Sequence, residues 1–311
     1  MRHVIAILNA EAGTLLDRNG EEVRALVERG LGRDGRKVEV QLLRGKNFLR
    51  AITESGSGPH DAVIVGGGDG SVSLAVRHLH GTGKALGILP LGTLNLLARD
   101  IGMPTDLEQA VAVLGAAEPG MVDIATLNDR LFHTISGMGF FSQMARAREM
   151  ARKLKLWRFL AVALAAIYAL RRSGRFELDV TVDGKTRRFD ALAVLVSVNR
   201  FSGPGWHRGR LDEGVLEVHI TEERGALARL KAGADMVTDT WRDNPGITSL
   251  VGREIVLARP NRSRSWVSTD GELERETMPL TYRVVPAALS LLMPARQEQA
   301  PLTEARSHKR W

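Results

Sequence analysis

The sequence predicts an α/β domain with a parallel sheet, followed by a β-rich second domain of the antiparallel-sandwich type. Two observations predict this fold class. From residue 3 to about residue 124, apolar segments of strand length alternate with helical segments, a pattern typical of a parallel sheet covered by helices. Beyond that point β-type segments follow one another, and Asp183-Gly184 between two alternating segments is a strong hairpin signal.

The elements of the first domain follow from this alternation. We predict strands at 3–8, 37–43, 62–65 and 85–89, and helices near 20–32, 47–54, 71–80 and 94–100. The domain is expected to comprise residues 1–124, and a last apolar stretch at about 287–294 is expected to return to it.

The second domain is expected to comprise residues 125–286. Strands are predicted at 121–127, 131–136, 176–182, 187–198, 215–221, 255–258, 265–268 and 280–285, with a helical stretch at about 140–170. Residues 295–311 are polar and basic, which is typical of a disordered tail.

Length and composition define the class of protein. The chain has 311 residues, enough for two domains with separate cores, and its 44% hydrophobic and 25% charged residues are ordinary for a soluble globular protein. The net charge of +7 favours anionic partners such as a nucleotide, an acidic lipid surface or a nucleic acid. The chain has no cysteine, which excludes disulfides and thiolate metal sites.

Targeting signals are not apparent. The first apolar segment is only one strand long and ends at the polar Asn9, so it does not have the pattern of a secretory signal. The longest apolar run, 159–170, is shorter than the about 20 residues needed to cross a bilayer. We therefore expect a cytoplasmic protein.

A glycine-rich loop is the first candidate binding site. The buried-strand pattern of 62–65 is followed by Gly66-Gly67-Gly68-Asp69-Gly70 and then by a helical segment. Such a strand–turn–helix lets backbone N–H groups approach a phosphate at the start of the helix. The spacing matches neither the Walker loop nor GxGxxG, so the loop by itself is equally typical of a tight turn without a ligand.

Other polar turns are predicted to lie at the same edge of the sheet. Asn9, 66–69 and 91–95 each come directly after a predicted strand, and the carboxyl ends of parallel strands meet at one edge. Thr93 by itself has the pattern of a helix cap.

Two carboxylates stand close together near the end of the second domain. Thr269-Asp270-Gly271-Glu272 is predicted to form a turn between β segments, and Asp-Gly by itself is common in turns. The eight histidines do not show the spacing of metal ligands, so zinc chemistry is not expected.

Taken together, four motifs are far more specific than any one of them. The segments "ILNAEAG", "GGGDGS", "LPLGTLNLLARDIGMP" and "STDGELE", in this order, resemble the diacylglycerol kinase catalytic-domain family. That family includes soluble bacterial lipid kinases and the eukaryotic sphingosine and ceramide kinases. The resemblance extends from about residue 3 to Pro294. It implies a nucleotide-binding domain like that of NAD kinases, joined to a β-rich domain with a cleft between them.

The resemblance implies a nucleotide site for ATP. The residues that match the family's ATP-binding segments are Asn9, Ala10, Glu11, Ala12, Gly13, Gly67, Gly68, Asp69, Gly70, Ser71, Val72, Ser73, Thr93 and Asn95. The sequence departs from the family at Ser73, where an Asn is usual, and at Leu74 and Leu96, where acids are common.

The resemblance also implies catalytic and metal-binding residues. Asp270 would take the proton from a lipid hydroxyl, and Asp69, Asp123 and Glu272 would organise Mg²⁺ and water. Carboxylate oxygens suit Mg²⁺ as ligands. A second, structural magnesium would be bound by Glu213 with the carbonyls of Arg210 and Val215, and a solvated acidic turn is the alternative.

The expected function is therefore that of an ATP- and Mg²⁺-dependent lipid kinase that converts diacylglycerol to phosphatidic acid. A kinase of another lipid, such as a sphingoid base or ceramide, is one alternative. A catalytically inactive nucleotide- or lipid-binding regulatory homologue is another. An NAD kinase shares the Gly-Gly-Asp-Gly loop, but Asp270 and Glu272 with the motif "PLGTLNLLARDIGMP" argue against it.

The expected partners are a lipid substrate and a membrane surface. Residues 146–175 carry many arginines and lysines around an apolar middle, which is typical of a helix in transient contact with an anionic membrane. Packing between domains or at a dimer interface is the alternative for this segment, and the resemblance suggests a homodimer. Nucleic-acid binding is not expected, because exposed aromatics are not interleaved with the basic residues.

Overall fold

The computed structural model describes residues 1–16, 18–143, 145–146, 174–202, 206–222, 244–260 and 262–295, apart from the side chain of Asp34. Most of the predicted helical stretch at 140–170 and nearly all of the predicted tail at 295–311 lie outside these residues. Within the described part of the chain, no helix combines the length and the apolarity needed to cross a bilayer.

The first half of the chain alternates strands and helices, as predicted. The strands are β1 (His3–Asn9), β2 (Lys37–Leu43), β3 (Ala62–Gly67) and β4 (Ala85–Pro90). The helices are α1 (Gly20–Leu31), α2 (Gly45–Ser55), α3 (Asp69–Leu79), α4 (Leu96–Asp100) and α5 (Leu107–Gly115), and short 3-10 helices occur at Gly13–Leu15 and Arg33–Gly35. The strands pair in parallel in the order β2-β1-β3-β4.

Local capping explains where two of these helices begin. Asn19 precedes α1 and its side chain accepts a hydrogen bond from Glu21 N, and Asp106 does the same for Gln109 N at α5. The strands β3 and β4 are buried along their whole length, which is the pattern of a parallel strand covered on both faces. We did not predict α5 from the sequence.

The second half consists of antiparallel strands. They are β5 (Glu118–Leu127), β6 (Arg130–Phe132), β7 (Ile135–Gly139), β8 (Phe176–Val182), β9 (Lys185–Ala191), β10 (Ala193–Val198), β11 (Leu216–Thr221), β12 (Ile247–Gly252), β13 (Glu254–Ala258), β14 (Arg264–Thr269), β15 (Glu272–Thr277) and β16 (Leu280–Met293). One six-stranded sheet has the order β12-β11-β10-β7-β14-β15. Its buried face packs on β8, β13 and β16 through a shared apolar core, so the predicted sandwich is confirmed.

The long strand β16 joins the two halves into one ten-stranded sheet. Its first part pairs with β13 and β5, and its last part pairs in parallel with β4, at Ser290 with Ala85 and Leu291 with Leu86. Eight of its strands therefore run β2-β1-β3-β4-β16-β13-β8-β9 without a break, and the other two are β5, which pairs with β16, and β6, which pairs with β5. The predicted domain limit at residue 124 falls inside β5, and the predicted strand at 187–198 is two strands, β9 and β10.

Two Asp-Gly dipeptides close hairpins. Asp183 and Gly184 have φ of 46° and 84°, and Asp270 and Gly271 have φ of 49° and 84°. Positive φ at both central residues is the requirement of the type I′ turn, which fits the right-handed twist of the paired strands. The predicted hairpin at Asp183 is therefore confirmed.

A bulge in β16 depends on a buried carboxylate. The register of β16 against β5 shifts between Val285 and Leu289, and Ala287 has a φ of 47°. Asp123 on β5 holds this bulge, because its Oδ1 accepts a hydrogen bond from Ala287 N at 2.8 Å. Its Oδ2 accepts from Gly214 N at 2.6 Å, so Asp123 also fixes the turn before β11.

The strained alanine gives a test of this geometry. Ala287→Gly should raise the free energy of unfolding by about 0.5–1 kcal/mol, because the left-handed region is costly for a residue with a Cβ and the flexibility of glycine offsets only part of the gain. Urea unfolding measures the change. The neighbouring Ala288→Gly is the matched control and should lower stability, since Ala288 does not have a positive φ. Equal losses in both variants would contradict the strain at Ala287.

Candidate active site

A cavity of about 410 Å³ lies at the carboxyl ends of β1, β3 and β4. Its lining comes from the loops after these three strands: Asn9, Ala12, Gly13, Thr14, Gly68, Leu91, Gly92 and Thr93. This volume lies in the range of small-molecule sites, about 300–1,000 Å³. The three polar turns that the sequence predicted at one sheet edge are thus placed around a single cavity.

The first loop is shaped by its own polar groups. Asn9 Oδ1 accepts a hydrogen bond from Glu11 N at 2.9 Å, and Asn9 O accepts from Ala12 N at 3.0 Å. Thr14 Oγ1 donates to Leu91 O at 3.3 Å, so the first loop is tied to the loop after β4. Asn9 therefore orders the loop that lines one side of the cavity.

The other two loops meet backbone to backbone. A Cβ atom added at Gly92 would lie 2.5 Å from Gly68 Cα, a separation that atoms in proteins do not tolerate. Glycine at position 92 therefore allows the loops after β3 and β4 to approach each other at the same cavity. The bare backbone here is suited to close approach of a phosphate group.

Asp69 fixes the loop after β4. Its carboxylate accepts hydrogen bonds from Asn95 N at 3.0 Å and from Leu96 N at 2.7 Å, so a residue of α3 caps the start of α4. Asn95 has a φ of 49° and closes the loop on Gly92, with two hydrogen bonds of 3.0 Å between its side-chain amide and the Gly92 backbone. The loop is therefore ordered before any ligand binds.

The predicted nucleotide residues fall into three sets. Asn9, Ala12, Gly13, Gly68 and Thr93 line the cavity, and Val72 and Ser73 are buried within α3. The remaining predicted residues do not line the cavity: Gly67 ends β3, Ala10, Glu11 and Asn95 lie in the loops after β1 and β4, and Asp69, Gly70 and Ser71 form the first turn of α3.

Asp270 lies at the tip of the β14–β15 hairpin and is buried. Its carboxylate accepts hydrogen bonds from His133 N at 3.1 Å, Thr134 N at 2.9 Å and Thr134 Oγ1 at 2.5 Å. His133 Nδ1 lies 2.8 Å from Asp270 Oδ2. Burial acts to raise the pKa of Asp270, but His133 and the Thr134 hydrogen bonds outweigh it and lower the pKa to about 2. The carboxylate is therefore ionised at neutral pH.

One face of α3 connects the cavity with this carboxylate. Asp69, Ser73 and Arg77 recur every fourth residue, which places them along one side of the helix. Asp69 supports the cavity loop, and Ser73 Oγ lies 3.5 Å from Asp270 Oδ2. Arg77 donates to Glu272 at 2.8 Å. The helix α3 thus links the loops that line the cavity to the β14–β15 hairpin in the second half of the chain.

Glu272 is held by two guanidinium groups. Arg77 reaches it from α3, and Arg130 donates to it from β6 at 2.6 Å. Arg130 also pairs with Glu274. Glu272 therefore joins α3 to the edge of the six-stranded sheet.

A buried ion pair connects the two halves behind Asp270. Arg208 donates to the Asp100 carboxylate through Nε at 2.9 Å and Nη2 at 2.5 Å, and both side chains are nearly inaccessible to solvent. Arg208 Nη1 also donates to His133 O at 2.8 Å and to Val198 O at 3.0 Å. Arg208 therefore holds His133 through its backbone carbonyl, and the backbone N–H of His133 donates to Asp270.

Asp69, Asp123 and Glu272, the three acids predicted to organise magnesium, do not gather in one place. In the described ranges, no three Asp, Glu, His or Cys side chains come together in a way that could hold a metal ion. Asp69 and Asp123 accept backbone hydrogen bonds, and Glu272 binds two arginines. The donor set therefore does not fit a metal cage made by the protein alone, and the roles predicted for these acids stay predictions.

The predicted second metal site has other contacts in the structure. Glu213 pairs with Arg200 at 2.8 Å and accepts a hydrogen bond from Arg200 N at 3.0 Å. The carbonyl of Val215 accepts from Asn199 N at 2.9 Å, and the Arg210 side chain pairs with Asp212. A cation at this turn would compete with the Arg200 guanidinium for the carboxylate, so this site also stays a prediction.

Sequence reasoning missed several residues of the site. The sequence gives Asp100 no role within its motif, predicts only a structural or surface position for His133, and assigns no individual role to Arg208 or Thr134. These residues lie far from their partners along the chain: Asp100 and Arg208 are 108 positions apart. A single sequence contains no local pattern that marks such a pair.

The buried ion pair predicts a large loss of stability when one partner is removed. Asp100→Asn should lower the free energy of unfolding by about 3 kcal/mol or more, because the Arg208 charge stays buried without its counter-ion. Asp212→Asn, which breaks the exposed pair with Arg210, is the matched control and should leave stability unchanged. Urea unfolding measures the free energy of unfolding of both variants. Equal losses of stability would show that burial of the Arg208–Asp100 pair does not increase its contribution to stability.

The low pKa of Asp270 predicts how stability depends on pH. Because the folded-state pKa is about 2 and the unfolded value is about 4, Asp270 stabilises the fold above pH 4 and this contribution is lost as the pH falls towards 2. The free energy of unfolding of the wild type should therefore fall by roughly 2 kcal/mol more than that of Asp270→Asn across this range. Denaturant unfolding at several pH values measures the difference, and parallel curves would contradict the assignment.

Comparison with known proteins agrees with this architecture. Residues 3–127 match the family model "Diacylglycerol kinase catalytic domain", and residues 139–293 match "YegS C-terminal NAD kinase beta sandwich-like domain". A diacylglycerol kinase structure from Bacillus anthracis strain Sterne superposes with a TM-score of 0.69 over 94% of this chain and 96% of that chain. At 17% identity, this likeness shows the fold alone.

Sequence relatives show the family. A "Probable lipid kinase YegS-like" from Pseudomonas aeruginosa strain UCBPP-PA14 is 31% identical over 298 residues, which cover 88% of this chain and 90% of that protein. An uncharacterized protein from Synechocystis sp. strain PCC 6803 is 26% identical over 255 residues, 79% of this chain and 58% of that protein. The matched domains and the Pseudomonas relative together show that this chain belongs to the YegS-like lipid kinases, built from a diacylglycerol kinase catalytic domain and a NAD-kinase-like β sandwich.

Proposed function

We propose that the chain transfers the γ-phosphate of ATP to a lipid hydroxyl in a Mg²⁺-dependent reaction, with diacylglycerol as the substrate and phosphatidic acid as the product. The main support for the proposal is that Asp69 and Ser73, on one face of α3, contact the loop after β4 and the ionised carboxylate of Asp270, respectively. Phosphoryl transfer needs a phosphate site, a cation and an oriented hydroxyl more than it needs covalent chemistry.

The cavity loops supply the phosphate site. Gly68, Gly92 and Gly13 expose backbone at the mouth of the cavity, and the first turn of α3 begins directly after Gly68. Unpaired N–H groups at a helix start attract anions, and the net charge of +7 adds to that attraction. ATP would thus bind with its phosphates towards α3.

Magnesium would arrive with the nucleotide. Mg²⁺ is usually bound through substrate phosphates with one or two carboxylates and several waters, so a protein-only cage is not required. Asp69 is the carboxylate that stands directly after Gly68 in the cavity loop. When bound, the ion would neutralise the charge that develops on the transferred phosphate.

Asp270 would orient the lipid hydroxyl. A carboxylate with a pKa of about 2 is a weak base, but it is charged at neutral pH and accepts hydrogen bonds strongly. In a loose transition state for phosphoryl transfer, the hydroxyl proton leaves late, so an acceptor of low basicity can still receive it. Contacts from His133 and Thr134 would keep the carboxylate in place during the reaction.

The experiment compares two matched aspartates. Transfer of ³²P from the γ position of ATP to a panel of lipids in mixed micelles is measured for wild type, Asp270→Asn and Asp183→Asn. Both residues occupy the first position of an Asp-Gly turn, and both carboxylates accept backbone N–H groups, at Asp183 from Arg253 and Glu254. Asp270→Asn should lower the rate by roughly 10²-fold or more, and Asp183→Asn should leave it unchanged.

The outcomes separate the alternatives. Phosphatidic acid made by the wild type and lost in Asp270→Asn supports the proposal. Transfer only to sphingoid bases or ceramide would show that one of these lipids, and not diacylglycerol, is the substrate. Transfer to NAD would show that the chain is an NAD kinase. ATP binding without transfer to any lipid points to an inactive regulatory homologue. Equal rates in wild type and Asp270→Asn would contradict the role of Asp270.

A further inference from the structure

The β14–β15 hairpin has two chemically different faces. Directly opposite residues of paired antiparallel strands point to the same side of the sheet. The side that packs into the sandwich carries the buried Ser265, Val267 and Thr269 of β14. The residues paired with them on β15 are Glu276, Glu274 and Glu272, in that order. All three glutamates of β15 therefore lie on the inner side of the hairpin.

The opposite side, which we term the outer face, consists of Arg264, Trp266, Ser268, Leu273, Arg275 and Thr277. Among these six described positions there are two arginines and no acidic residue. Arg264 and Arg275 are exposed, and Trp266 is 41% exposed. The outer face thus presents an exposed aromatic ring between two cations.

Another cation stands over the same tryptophan. The guanidinium carbon of Arg146 lies 5.7 Å from the centroid of the Trp266 ring, within the range of a cation–π contact. Arg146 is exposed as well. The outer face with Arg146 thus combines three positive charges with the apolar side chains of Trp266 and Leu273.

We propose that this outer face binds the surface of an anionic phospholipid bilayer. Arginines bind phosphate groups, and tryptophan prefers the headgroup region, where one side of its ring is apolar and the other is wet. The hairpin also carries Asp270 at its tip, four residues beyond Trp266, or about 13 Å at the rise of a strand. Contact with a bilayer on this face would bring the reaction centre to the membrane surface.

This inference rests on the proposed lipid kinase function and adds the surface through which the enzyme reaches its substrate. It differs from the membrane contact predicted from residues 146–175, because Trp266, Arg264 and Arg275 lie on strands and Arg146 is the one residue that the two surfaces share. Of that segment, only Arg146, Gly174 and Arg175 belong to the described residues.

The test measures sedimentation of the full chain with vesicles made of equal parts phosphatidylcholine and phosphatidylglycerol. Arg264→Gln/Arg275→Gln should bind roughly 30-fold more weakly than the wild type, from about fivefold for each arginine near an anionic surface. Binding of the wild type should fall as salt is raised, and Trp266→Ala should also weaken it. Thermal unfolding confirms that each variant is folded.

The matched control removes two cations from another exposed strand. Lys185 and Arg187 occupy alternate, exposed positions of β9, so Lys185→Gln/Arg187→Gln changes the net charge by the same amount. Its vesicle binding should stay close to that of the wild type. Equal loss in both double variants would show a diffuse charge effect and overturn the assignment to the outer face, as would absence of vesicle binding by the wild type.

Activity measurements separate this inference from the proposed function. In neutral detergent micelles, Arg264→Gln/Arg275→Gln should phosphorylate diacylglycerol as fast as the wild type, and on anionic vesicles its KM should rise. An active kinase whose vesicle binding does not depend on these arginines overturns only the membrane surface. A chain that binds vesicles through them but phosphorylates no lipid overturns only the proposed function. Loss of RNA binding in the double variant, with vesicle binding unchanged, would assign the face to nucleic acid instead.

Discussion

The buried pair of Arg208 and Asp100 is the interaction on which the geometry of the site depends. Asp100 ends α4 in the first half of the chain, and Arg208 precedes β11 in the second, so their contact links the two halves beside the site. A buried guanidinium is costly unless its nitrogens have partners, and here Nε and Nη2 donate to Asp100 while Nη1 donates to the carbonyls of His133 and Val198. Because the His133 and Thr134 amides bind Asp270, the position of the ionised carboxylate follows from this pair.

The sequence predicted local features well and distant contacts poorly. The Asp-Gly turns were predictable because two adjacent residues determine a type I′ turn. The gathering of Asn9, Gly68 and Thr93 was predictable because parallel strands end at one edge. Ser73 and Asp270 are 197 positions apart, and their approach depends on the packing of α3 against β6 and the hairpin. No periodicity in the chain encodes such a contact.

The two Asp-Gly turns show why a motif alone does not define a site. Asp183 and Asp270 have the same backbone conformation, and both use the carboxylate to bind backbone N–H groups. They differ in burial and in their side-chain neighbours, because the carboxylate of Asp270 is enclosed by His133, Thr134 and Ser73. The local sequence explains the turn, and the tertiary environment explains why the pKa of Asp270 is lowered.

The acids at the motif positions also bear on whether the chain is an active enzyme. Retention of Asp69, Asp123, Asp270 and Glu272 would argue for catalysis if catalysis were their only use. However, Asp69 caps the start of α4, and Asp123 accepts a hydrogen bond from the bulge in β16. An inactive homologue would need both residues for its fold. Glu272 binds two arginines, and Asp270 accepts hydrogen bonds from the backbone of His133 and Thr134. The presence of the four acids is therefore not by itself evidence for catalysis. The asparagine variants of Asp270 and Asp183 separate the two roles, because both carboxylates bind backbone N–H groups and only that of Asp270 is proposed to meet the substrate.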